Sequence, residues 1–456
     1  MIPRRLSEIA AAVGGVHRGE DVSVSSVVTD SRQAENGALF VALEGEHTDG
    51  HRFIANAFAN GASAALVDRP TPGTVVEVGD TGRALLDLAK DERDRMGDVR
   101  VLAITGANGK TSTKDLAAAV IGTGSRTHAS PASFNNEVGL PMTLLCSPAS
   151  TEVVVAELGA RRAGDVALLC KVARPDAVVV TNVGVAHMGI FGSWDEIVRA
   201  SREAVDWLGS DGVAILNADD PVVRGFADGA RAEVVTFGVE VPADVRAEGV
   251  ELGADARSSF TLASGSEREL VELQVPGEHM VPNALAAAAA GLWLGMSVAE
   301  CAAALKGARI SRWRMETFRT GSGVLVVNDA YNANPESMAA GLKTARWMAR
   351  DGRLVALLGH MAELGPIAFD EHEKVGELVV RIGVDRLITV GEEARTIARA
   401  AVREGLVPES VASYDEADEA AADVLAWTTT GDVVLLKGSR VAGLERVAEA
   451  LIGDAP

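Results

Sequence analysis

The stretch VLAITGANGKTSTKD, Val101–Asp115, indicates how the central part of the chain folds. It opens with a short, continuous apolar run, which is typical of a strand buried on both faces of a parallel sheet. Gly106 and Gly109 then allow a tight turn, and Thr113–Ile121 has the composition of a helix. The stretch therefore predicts a strand, a glycine turn and a helix in direct succession.

The glycine turn has the features of a loop that binds phosphate groups. Backbone N–H groups and the helix N-terminus supply positive potential there, and glycine lets a phosphate approach closely. In such a loop Lys110 reaches the β- and γ-phosphates, and Thr111 offers its hydroxyl to Mg²⁺. The residues predicted to contact a nucleotide are Gly106, Ala107, Asn108, Gly109, Lys110, Thr111 and Ser112. The general Walker pattern places its first glycine at Thr105, so an ordinary turn that carries a lysine is the alternative interpretation.

Apolar strands and helices alternate along most of the chain, which predicts an α/β protein with parallel sheets. Further strands are expected at Val153–Glu157, Ala177–Thr181, Val213–Leu216, Val324–Asn328, Leu354–Leu358, Arg386–Val390 and Val433–Lys437. We predict three domains. Residues 1–85 form a small α/β domain, and residues 86–310 form a central, doubly wound, P-loop-type parallel sheet with a hairpin insertion within 240–275. Residues 311–456 form a C-terminal Rossmann-like α/β domain.

The composition agrees with a globular protein of several domains. The chain has 456 residues, 47% of them hydrophobic, and this length exceeds a single compact core. The formal net charge of -21 argues against nucleic-acid binding, which needs a basic surface. No stretch of about 18 uncharged apolar residues occurs, so we expect no membrane insertion. The N-terminal run contains Glu8 and is interpreted as a helix, not as a signal peptide.

The three cysteines, Cys146, Cys170 and Cys301, are far apart in the sequence. Their spacing indicates neither a disulfide framework nor a metal site. We expect each to be a small core residue in a protein of the reducing cytoplasm.

Two further side chains are expected beside the phosphate loop. Glu157 ends one predicted strand, and His187 follows the end of another. In an open parallel sheet, ligands bind beyond the carboxyl ends of the strands. A carboxylate and an imidazole at this edge could hold Mg²⁺ between a nucleotide and a second substrate. The alternatives are a surface acid at a strand end and a loop histidine without a ligand role.

Several motifs together resemble the Mur ligases, and the resemblance runs over nearly the whole chain. They are TGANGKTSTKD, SFNNEVGLPMTLL (Ser133–Leu145), ELGARRAGD (Glu157–Asp165), TNVGVAH (Thr181–His187), NADDP (Asn217–Pro221), NDAYNANPESM (Asn328–Met338), LGHMAELG (Leu358–Gly365) and KGSR (Lys437–Arg440). Within that family, NNEVGLP and YNANPESM are most specific to the member that extends a tripeptide precursor. The stretch TDSRQAENGALFVALEGEHTDGHRF resembles that member's UDP-sugar-binding domain.

The resemblance implies a cytoplasmic, ATP-dependent and Mg²⁺-dependent ligase of peptidoglycan precursor synthesis, and hence a role in cell shape and division. It implies that ATP phosphorylates the carboxylate of UDP-N-acetylmuramoyl-tripeptide and that the amine of D-alanyl-D-alanine displaces phosphate. We expect a monomer. The sequence does not distinguish lysine from diaminopimelate at the third peptide position.

The resemblance also implies roles for individual residues. Lys110, Glu157 and His187 are the expected catalytic residues, and Thr111, Glu157 and His187 are the expected metal ligands. The other implied nucleotide contacts are Asn283, Arg314, Asp329, Tyr331 and Asn332, and the implied substrate contacts are Ser31, Arg32, Asn135 and Asn136. The residues alone leave other interpretations open: a helix cap for Asn283 and plain turns for Ser31–Arg32 and Asp329–Asn334.

One departure from the family pattern concerns the second metal ion. Mur ligases carry a carbamylated lysine after the histidine loop, and Ser201 occupies the matching position here. Serine cannot carry a carbamate, and Arg202 has no usable amine at neutral pH. Glu203 or water could replace the missing ligand, activity could be lower, or the acceptor could differ.

Two other functions stay open at this stage. The first is another amide ligase of the same superfamily, such as a folylpolyglutamate-type synthetase, against which the UDP-binding stretch argues. The second is a catalytically impaired homologue that binds nucleotide and acts through partners, which only the substitution at Ser201 supports.

Overall fold

The structure, a computed structural model, describes residues 1–45, 48–185 and 188–453. Three large sheets follow one another along the chain, with five, nine and six strands. Within the described residues, no helix combines the length and the apolar character needed to cross a membrane.

The N-terminal part folds around the five-stranded sheet. The strands are β1 Arg4–Arg5, β2 Val16–Arg18, β3 Ser23–Val24, β4 Ser26–Val28, β5 Ala38–Val41, β6 Ala64–Val67 and β7 Val75–Glu77, and the helices are α1 Leu6–Ala12, α2 Ile54–Ala59 and α3 Thr81–Arg95. The sheet order is β2-β7-β6-β5-β4, with β2 antiparallel to β7 and the other neighbours parallel. Strands β1 and β3 form a separate two-stranded sheet.

The central part contains the nine-stranded sheet. Its strands are β8 Arg100–Thr105, β9 Thr127–Ala129, β10 Val153–Glu157, β11 Ala177–Val180, β12 Val213–Asn217, β13 Glu233–Gly238, β14 Val245–Leu252, β15 Arg257–Ser264 and β16 Glu267–Pro276. Its helices are α4 Lys110–Ile121, α5 Gly139–Leu145, α6 Asp165–Ala173, α7 Met188–Phe191, α8 Trp194–Trp207, α9 Pro221–Gly225, α10 Met280–Trp293 and α11 Val298–Gly307. The order is β16-β15-β14-β13-β12-β11-β8-β10-β9, parallel from β9 to β14 and antiparallel beyond.

The C-terminal part contains the six-stranded sheet. Its strands are β17 Glu316–Arg319, β18 Leu325–Asp329, β19 Leu354–Gly359, β20 Arg386–Val390, β21 Val411–Tyr414 and β22 Val433–Lys437, and its helices are α12 Pro335–Ala349, α13 Ala368–Arg381, α14 Arg395–Arg403, α15 Ala417–Trp427 and α16 Glu445–Gly453. The order is β17-β18-β22-β19-β20-β21, and only the edge strand β17 is antiparallel to its neighbour.

The central strand β8 contains a continuous apolar run, Val101–Ile104, because both faces of the sheet are covered there. Leu102 and Ile104 pack into the core on one face of the sheet, together with α4 and α10. Val101 and Ala103 pack into the core on the other face. Since both faces are covered, Val101–Ile104 are all buried, and each full burial of a large aliphatic side chain contributes roughly 1.5–3 kcal/mol.

The predicted fold class is confirmed, including the hairpin, which β15 and β16 form. The boundary predicted between residues 85 and 86 falls inside α3, and the division into 1–85, 86–310 and 311–456 stays a prediction. In the central and C-terminal sheets, five strands were not predicted from the sequence: β9, β13, β14, β17 and β21. Most positions in these strands are exposed or half-buried, so they lack the continuous apolar pattern of the central strands.

The interpretation of the cysteines is only partly correct. Cys170 and Cys301 are buried, whereas Cys146 is exposed just after α5. Burial raises the pKa of the Cys170 thiol to about 12 and that of Cys301 to about 11, so both stay protonated at neutral pH.

Gly291 allows helices α10, α4 and α11 to pack closely. A Cβ at this position would lie 2.7 Å from Cys301 Sγ and 2.8 Å from Val120 Cγ1. We expect Gly291→Ala to lower the free energy of unfolding by about 1–3 kcal/mol, because overpacking outweighs the better helix propensity of alanine. Gly307→Ala, at the end of α11 with nothing within 4 Å of the added Cβ, is the control. Thermal and urea unfolding measure both variants, and an equally stable Gly291→Ala would contradict the packing argument.

Candidate active site

The site lies where the strand order of the central sheet reverses. From β8 the chain continues to β9 and β10 on one side and then crosses to β11 on the other. The parallel register places Glu157 opposite Ile104 and Val180 opposite Thr105. The loops after β8, β10 and β11 therefore meet at one edge, the usual position of a ligand in a doubly wound sheet.

The phosphate loop, Gly106–Ser112, follows β8 and includes the first turn of α4. Gly106 and Gly109 have φ angles of 131° and 80°, in the region that favours glycine. A Cβ at Gly106 would lie 2.2 Å from Thr181 Oγ1, and one at Gly109 would lie 2.4 Å from Asn283 Oδ1. Both glycines are therefore required by conformation and by space.

The loop after β11 holds the phosphate loop in place. Asn182 accepts hydrogen bonds from Ala107 N through its carbonyl, at 2.9 Å, and from Asn108 N through its side chain, at 2.7 Å. The Thr181 hydroxyl donates to Asn108 O at 2.6 Å. These contacts orient Ala107 and Asn108 as part of a rigid turn. Ser112 is buried in the first turn of α4.

Lys110 begins α4 and folds back over its own loop. Its Nζ donates to Gly106 O at 2.7 Å and to Ala107 O at 3.2 Å. Desolvation lowers the pKa of this ammonium; the charge of Glu157 opposes the shift, and that of Arg314 adds to it. The ammonium therefore lies at the loop where the sequence predicted it, and a phosphate group would compete with two carbonyls for it.

Glu157, at the end of β10, is the central acid of the site. Glu157 is 1% exposed, and each of its carboxylate oxygens accepts a hydrogen bond. Thr111 Oγ1 donates to Oε2 at 2.7 Å, and Asn135 Nδ2 donates to Oε1 at 2.8 Å. The single proton of Thr111 is used in this bond, so Ser133 Oγ is the donor in its 2.8 Å contact with Thr111 Oγ1.

Arg314 extends from the linker that precedes the C-terminal sheet into this network. Its Nη2 donates to Thr111 Oγ1 at 2.8 Å and to Ser133 Oγ at 3.0 Å. The guanidinium lies over the ring of Tyr331, 4.3 Å from the centroid, which fixes its orientation. Arg314 and Tyr331 thus lie together near the phosphate loop, and their contact with a nucleotide stays a prediction.

The loop after β18 forms a second group of C-terminal contacts. Lys437 Nζ donates to a carboxylate oxygen of Asp329 at 2.5 Å and to Asn332 O at 3.2 Å. Asp329 also accepts from Met315 N, next to Arg314. Asn334, the N-cap of α12, donates from Nδ2 to Asn108 Oδ1 at 2.5 Å. The C-terminal loop therefore touches the phosphate loop through Asn334.

Other predicted residues have different surroundings. Asn136 accepts from Gly139 N, at the first residue of α5, at 2.8 Å, so its side chain binds the start of that helix, unlike that of Asn135. Asn283 is not the N-cap of α10, which is His279; its Oδ1 accepts from Thr113 Oγ1 at 3.2 Å. Ser31 and Arg32 lie on a short 3₁₀ turn beside the N-terminal sheet, where Arg32 pairs with Asp30. His187 lies outside the described residues.

The site offers hard oxygen ligands of the kind that Mg²⁺ prefers. The Thr111 hydroxyl and the Glu157 carboxylate are in contact and face the phosphate loop. Their chemistry fits one Mg²⁺ ion held together with phosphate oxygens. Among the described residues, no group of three or more His, Cys, Asp or Glu side chains forms a metal site by itself.

The structure does not support Glu203 as a substitute for the missing carbamate. Glu203 Oε1 accepts from Gly164 N at 2.6 Å and Oε2 from Ala167 N at 2.9 Å, so the carboxylate caps α6. Ser201 is half-buried on α8, and its hydroxyl donates to Ile197 O within the same helix. Neither side chain is a free anionic ligand.

Sequence reasoning assigned no individual role to three residues of the network: Ser133, Asn182 and Asn334. All three belong to motifs that the sequence analysis singled out, so the signal was present. Their roles depend on side-chain directions between distant loops, which motif spacing does not give.

Comparison with known proteins gives three family matches. The Mur ligase middle domain matches residues 104–291, the Mur ligase glutamate ligase domain matches residues 313–440, and the Mur ligase family catalytic domain matches residues 23–86.

Individual relatives are similar over their full length. The UDP-N-acetylmuramoyl-tripeptide–D-alanyl-D-alanine ligase of Mycobacterium bovis is 39% identical, covering 100% of this chain and 98% of the relative. The protein of the same name from Bacillus subtilis is 35% identical, with 99% of each chain covered. The crystal structure of MurF from Acinetobacter baumannii superposes with a TM-score of 0.88 at 30% identity over 99% of both chains. The crystal structure of Thermotoga maritima MurF in complex with ADP superposes with a TM-score of 0.81 at 26% identity, covering 94% of this chain and 98% of that one.

Gly109→Ala tests the geometry of the phosphate loop. The added Cβ would meet Asn283 Oδ1, and the left-handed conformation costs alanine about 1–3 kcal/mol, so the loop must change shape. We expect the affinity for a nucleoside triphosphate, measured by calorimetry, to fall by about tenfold or more. Gly124→Ala, whose Cβ meets nothing within 4 Å, should bind like the wild type. Equal binding by both variants would show that this loop does not contact phosphate.

Proposed function

This chain belongs to the Mur ligase family, and we propose that it joins D-alanyl-D-alanine to UDP-N-acetylmuramoyl-tripeptide at the expense of ATP. The observation that carries the proposal is the convergence of Lys110, Thr111, Glu157 and Arg314 at one edge of the central sheet. The full-length similarity to ligases of that name supports this choice of substrates.

The proposed reaction proceeds by way of an acyl-phosphate. A carboxylate oxygen of the tripeptide attacks the γ-phosphorus of ATP, the bond to the β-phosphate oxygen breaks, and ADP leaves. The amine of D-alanyl-D-alanine then attacks the acyl carbon, loses a proton, and expels inorganic phosphate as the amide forms. Activation is needed because a carboxylate anion is a poor acyl donor, and the protein contributes positioning and charge compensation.

We assign the predicted site residues the following roles in that reaction. The backbone N–H groups of Gly106–Ser112 bind the phosphates, and the Lys110 ammonium and the Arg314 guanidinium compensate the charge of the transferring group. The nucleotide is contacted by Asp329, Tyr331 and Asn332. The Asn135 amide orients the carboxylate of Glu157. Ser31 and Arg32 contact the UDP part of the substrate. His187 keeps the metal-ligand role that the resemblance implies.

Thr111 and Glu157 would hold Mg²⁺, which supplies charge neutralisation for the phosphate oxygens when it is bound. We further propose a cytoplasmic, monomeric enzyme of peptidoglycan precursor synthesis, and hence a part in cell shape and division. The strongly acidic composition supports the expectation that it binds no nucleic acid.

Assaying the purified protein with ATP, Mg²⁺, UDP-N-acetylmuramoyl-tripeptide and D-alanyl-D-alanine tests the function. Phosphate release that needs both substrates supports it. The tripeptide substrate should also raise the melting temperature, because it binds the folded state. Stabilisation by a folate instead would favour a folylpolyglutamate-type synthetase. Binding of nucleotide and tripeptide without any turnover would favour the impaired homologue.

Lys110→Ala tests the phosphate-transfer role. We expect phosphate release to fall by about 10²-fold or more, because an ammonium beside the transferring group is lost. Binding of the UDP-linked tripeptide, followed by thermal shift, should change little. Lys171→Ala, which removes an exposed lysine on α6, should retain full turnover. Unchanged turnover in Lys110→Ala would remove this lysine from the mechanism.

Ser201→Lys tests the proposed position of the missing metal ligand. With ¹³C-bicarbonate supplied, a lysine there should form a carbamate that ¹³C NMR detects, and turnover should not decrease. Arg202→Lys is the control, because Arg202 points to Asp206 and the ring of Phe226 and its replacement should give no carbamate signal. A Ser201→Lys protein without the signal, or with lower turnover, would show that the alignment of this helix is wrong.

A further inference from the structure

Lys114 and Asp115 are the last two residues of the phosphate-loop motif and lie one helical turn behind the site. Their contacts have no role in the reaction proposed above. Lys114 is 2% exposed, and its ammonium is surrounded by protein. Burial of an ammonium is costly unless every donor has a partner. Here it donates to Ser130 O at 2.7 Å and to Ala132 O at 2.8 Å, and it pairs with Asp115 Oδ1 at 2.8 Å.

The two carbonyls that Lys114 binds belong to the segment leading to Ser133 and Asn135. Ala132 has a φ of 43°, a conformation that a residue with a side chain rarely adopts without support from its surroundings. The ammonium supplies that support directly, because it binds the carbonyl of Ala132 itself. The Ser130 hydroxyl in turn accepts from Glu157 N at 3.2 Å.

Asp115 holds a second segment. Its Oδ2 accepts from Ser311 N at 2.7 Å, three residues before Arg314. Arg314 is flanked by two residues with positive φ, Trp313 at 61° and Met315 at 49°. The linker therefore enters the site in a conformation that its own sequence disfavours, and Asp115 fixes the point at which it starts.

We propose that Lys114 and Asp115 are positioning residues that align two separate segments with the phosphate loop. Lys114 places Ser133 and Asn135, and Asp115 places Arg314. Both segments end on the hydroxyl of Thr111, which Ser133 and Arg314 contact, and Asn135 of the first segment also contacts the carboxylate of Glu157. Because α4 carries Thr111 as well as this ion pair, a single rigid helix sets the distances between groups from three parts of the chain.

The inference rests on the proposed ligase reaction for its kinetic test, whereas hydrogen–deuterium exchange tests the alignment independently of any activity. In Lys114→Met, which keeps most of the side-chain length and removes the ammonium, amides of residues 130–136 should exchange about tenfold faster or more. In Asp115→Ala, the amides of residues 311–314 should exchange faster instead. Lys90→Met, at an exposed position on α3, should leave both segments unchanged. Unaltered exchange of both segments in the folded variants would overturn the proposal.

The kinetic test is a pair of double-mutant cycles, with turnover expressed per folded protein. If Lys114 acts through Asn135, Asn135→Ala should lower kcat by about tenfold in the wild type but by less than about threefold in the Lys114→Met background. The affinity for a non-hydrolysable ATP analogue should change by less than about threefold in Lys114→Met, since the phosphate loop itself is intact. Multiplicative losses would mean that Lys114 serves only general stability and would overturn the proposal.

The second cycle combines Asp115→Ala with Arg314→Ala and remains available if Lys114→Met fails to fold, because Asp115 is less deeply buried. The loss of kcat in the double variant should again be much smaller than the product of the losses in the two single variants. A loss equal to that product would overturn the proposal. A wild-type protein that shows no ligation would contradict the proposed function, while the exchange measurements would still decide the alignment.

Discussion

The carboxylate of Glu157 is buried at the end of a central strand, and the site is built around the donors that it requires. An unpaired buried carboxylate is expensive, so the Thr111 hydroxyl and the Asn135 amide are held against its two oxygens. Thr111 has only one proton to give, which leaves its lone pairs for Ser133 and Arg314. One buried charge thereby determines the arrangement of four side chains.

These side chains come from loops that belong to different sheets, and this links the C-terminal part to the central part. Arg314 reaches Thr111, Asn334 reaches Asn108, and Gly189 N donates to Glu363 O at 3.0 Å. A Cβ at Gly365 would lie 2.4 Å from Gly189 Cα, so backbones of the two parts touch directly. The two groups proposed to compensate charge, Lys110 and Arg314, therefore come from different parts of the chain, and both parts contribute to the site.

The substitution at Ser201 limits what this site has in common with the family pattern. The hydroxyl of Ser201 bonds within its own helix, and Glu203 caps α6 with both oxygens. The oxygen atoms of Thr111 and Glu157 suit one magnesium ion. The charge compensation that we propose therefore rests on the phosphate loop and its immediate neighbours.

The sequence alone determined the α/β class, the phosphate loop and the strands whose two faces are buried, because these depend on local pattern and on continuous apolar runs. It also indicated the family, and with the family the expectation that Glu157 and Arg314 belong to the site. Only the tertiary structure decided the contacts of neighbouring residues. Asn135 donates to Glu157 whereas Asn136 binds the first amide of α5, and Lys114 and Asp115 bind two distant segments. Such roles depend on side-chain directions and on contacts between residues as much as 196 positions apart, which no local pattern encodes. Partly exposed edge strands such as β9 were missed for the same reason, since pairing with a neighbour defines them more than their own composition does.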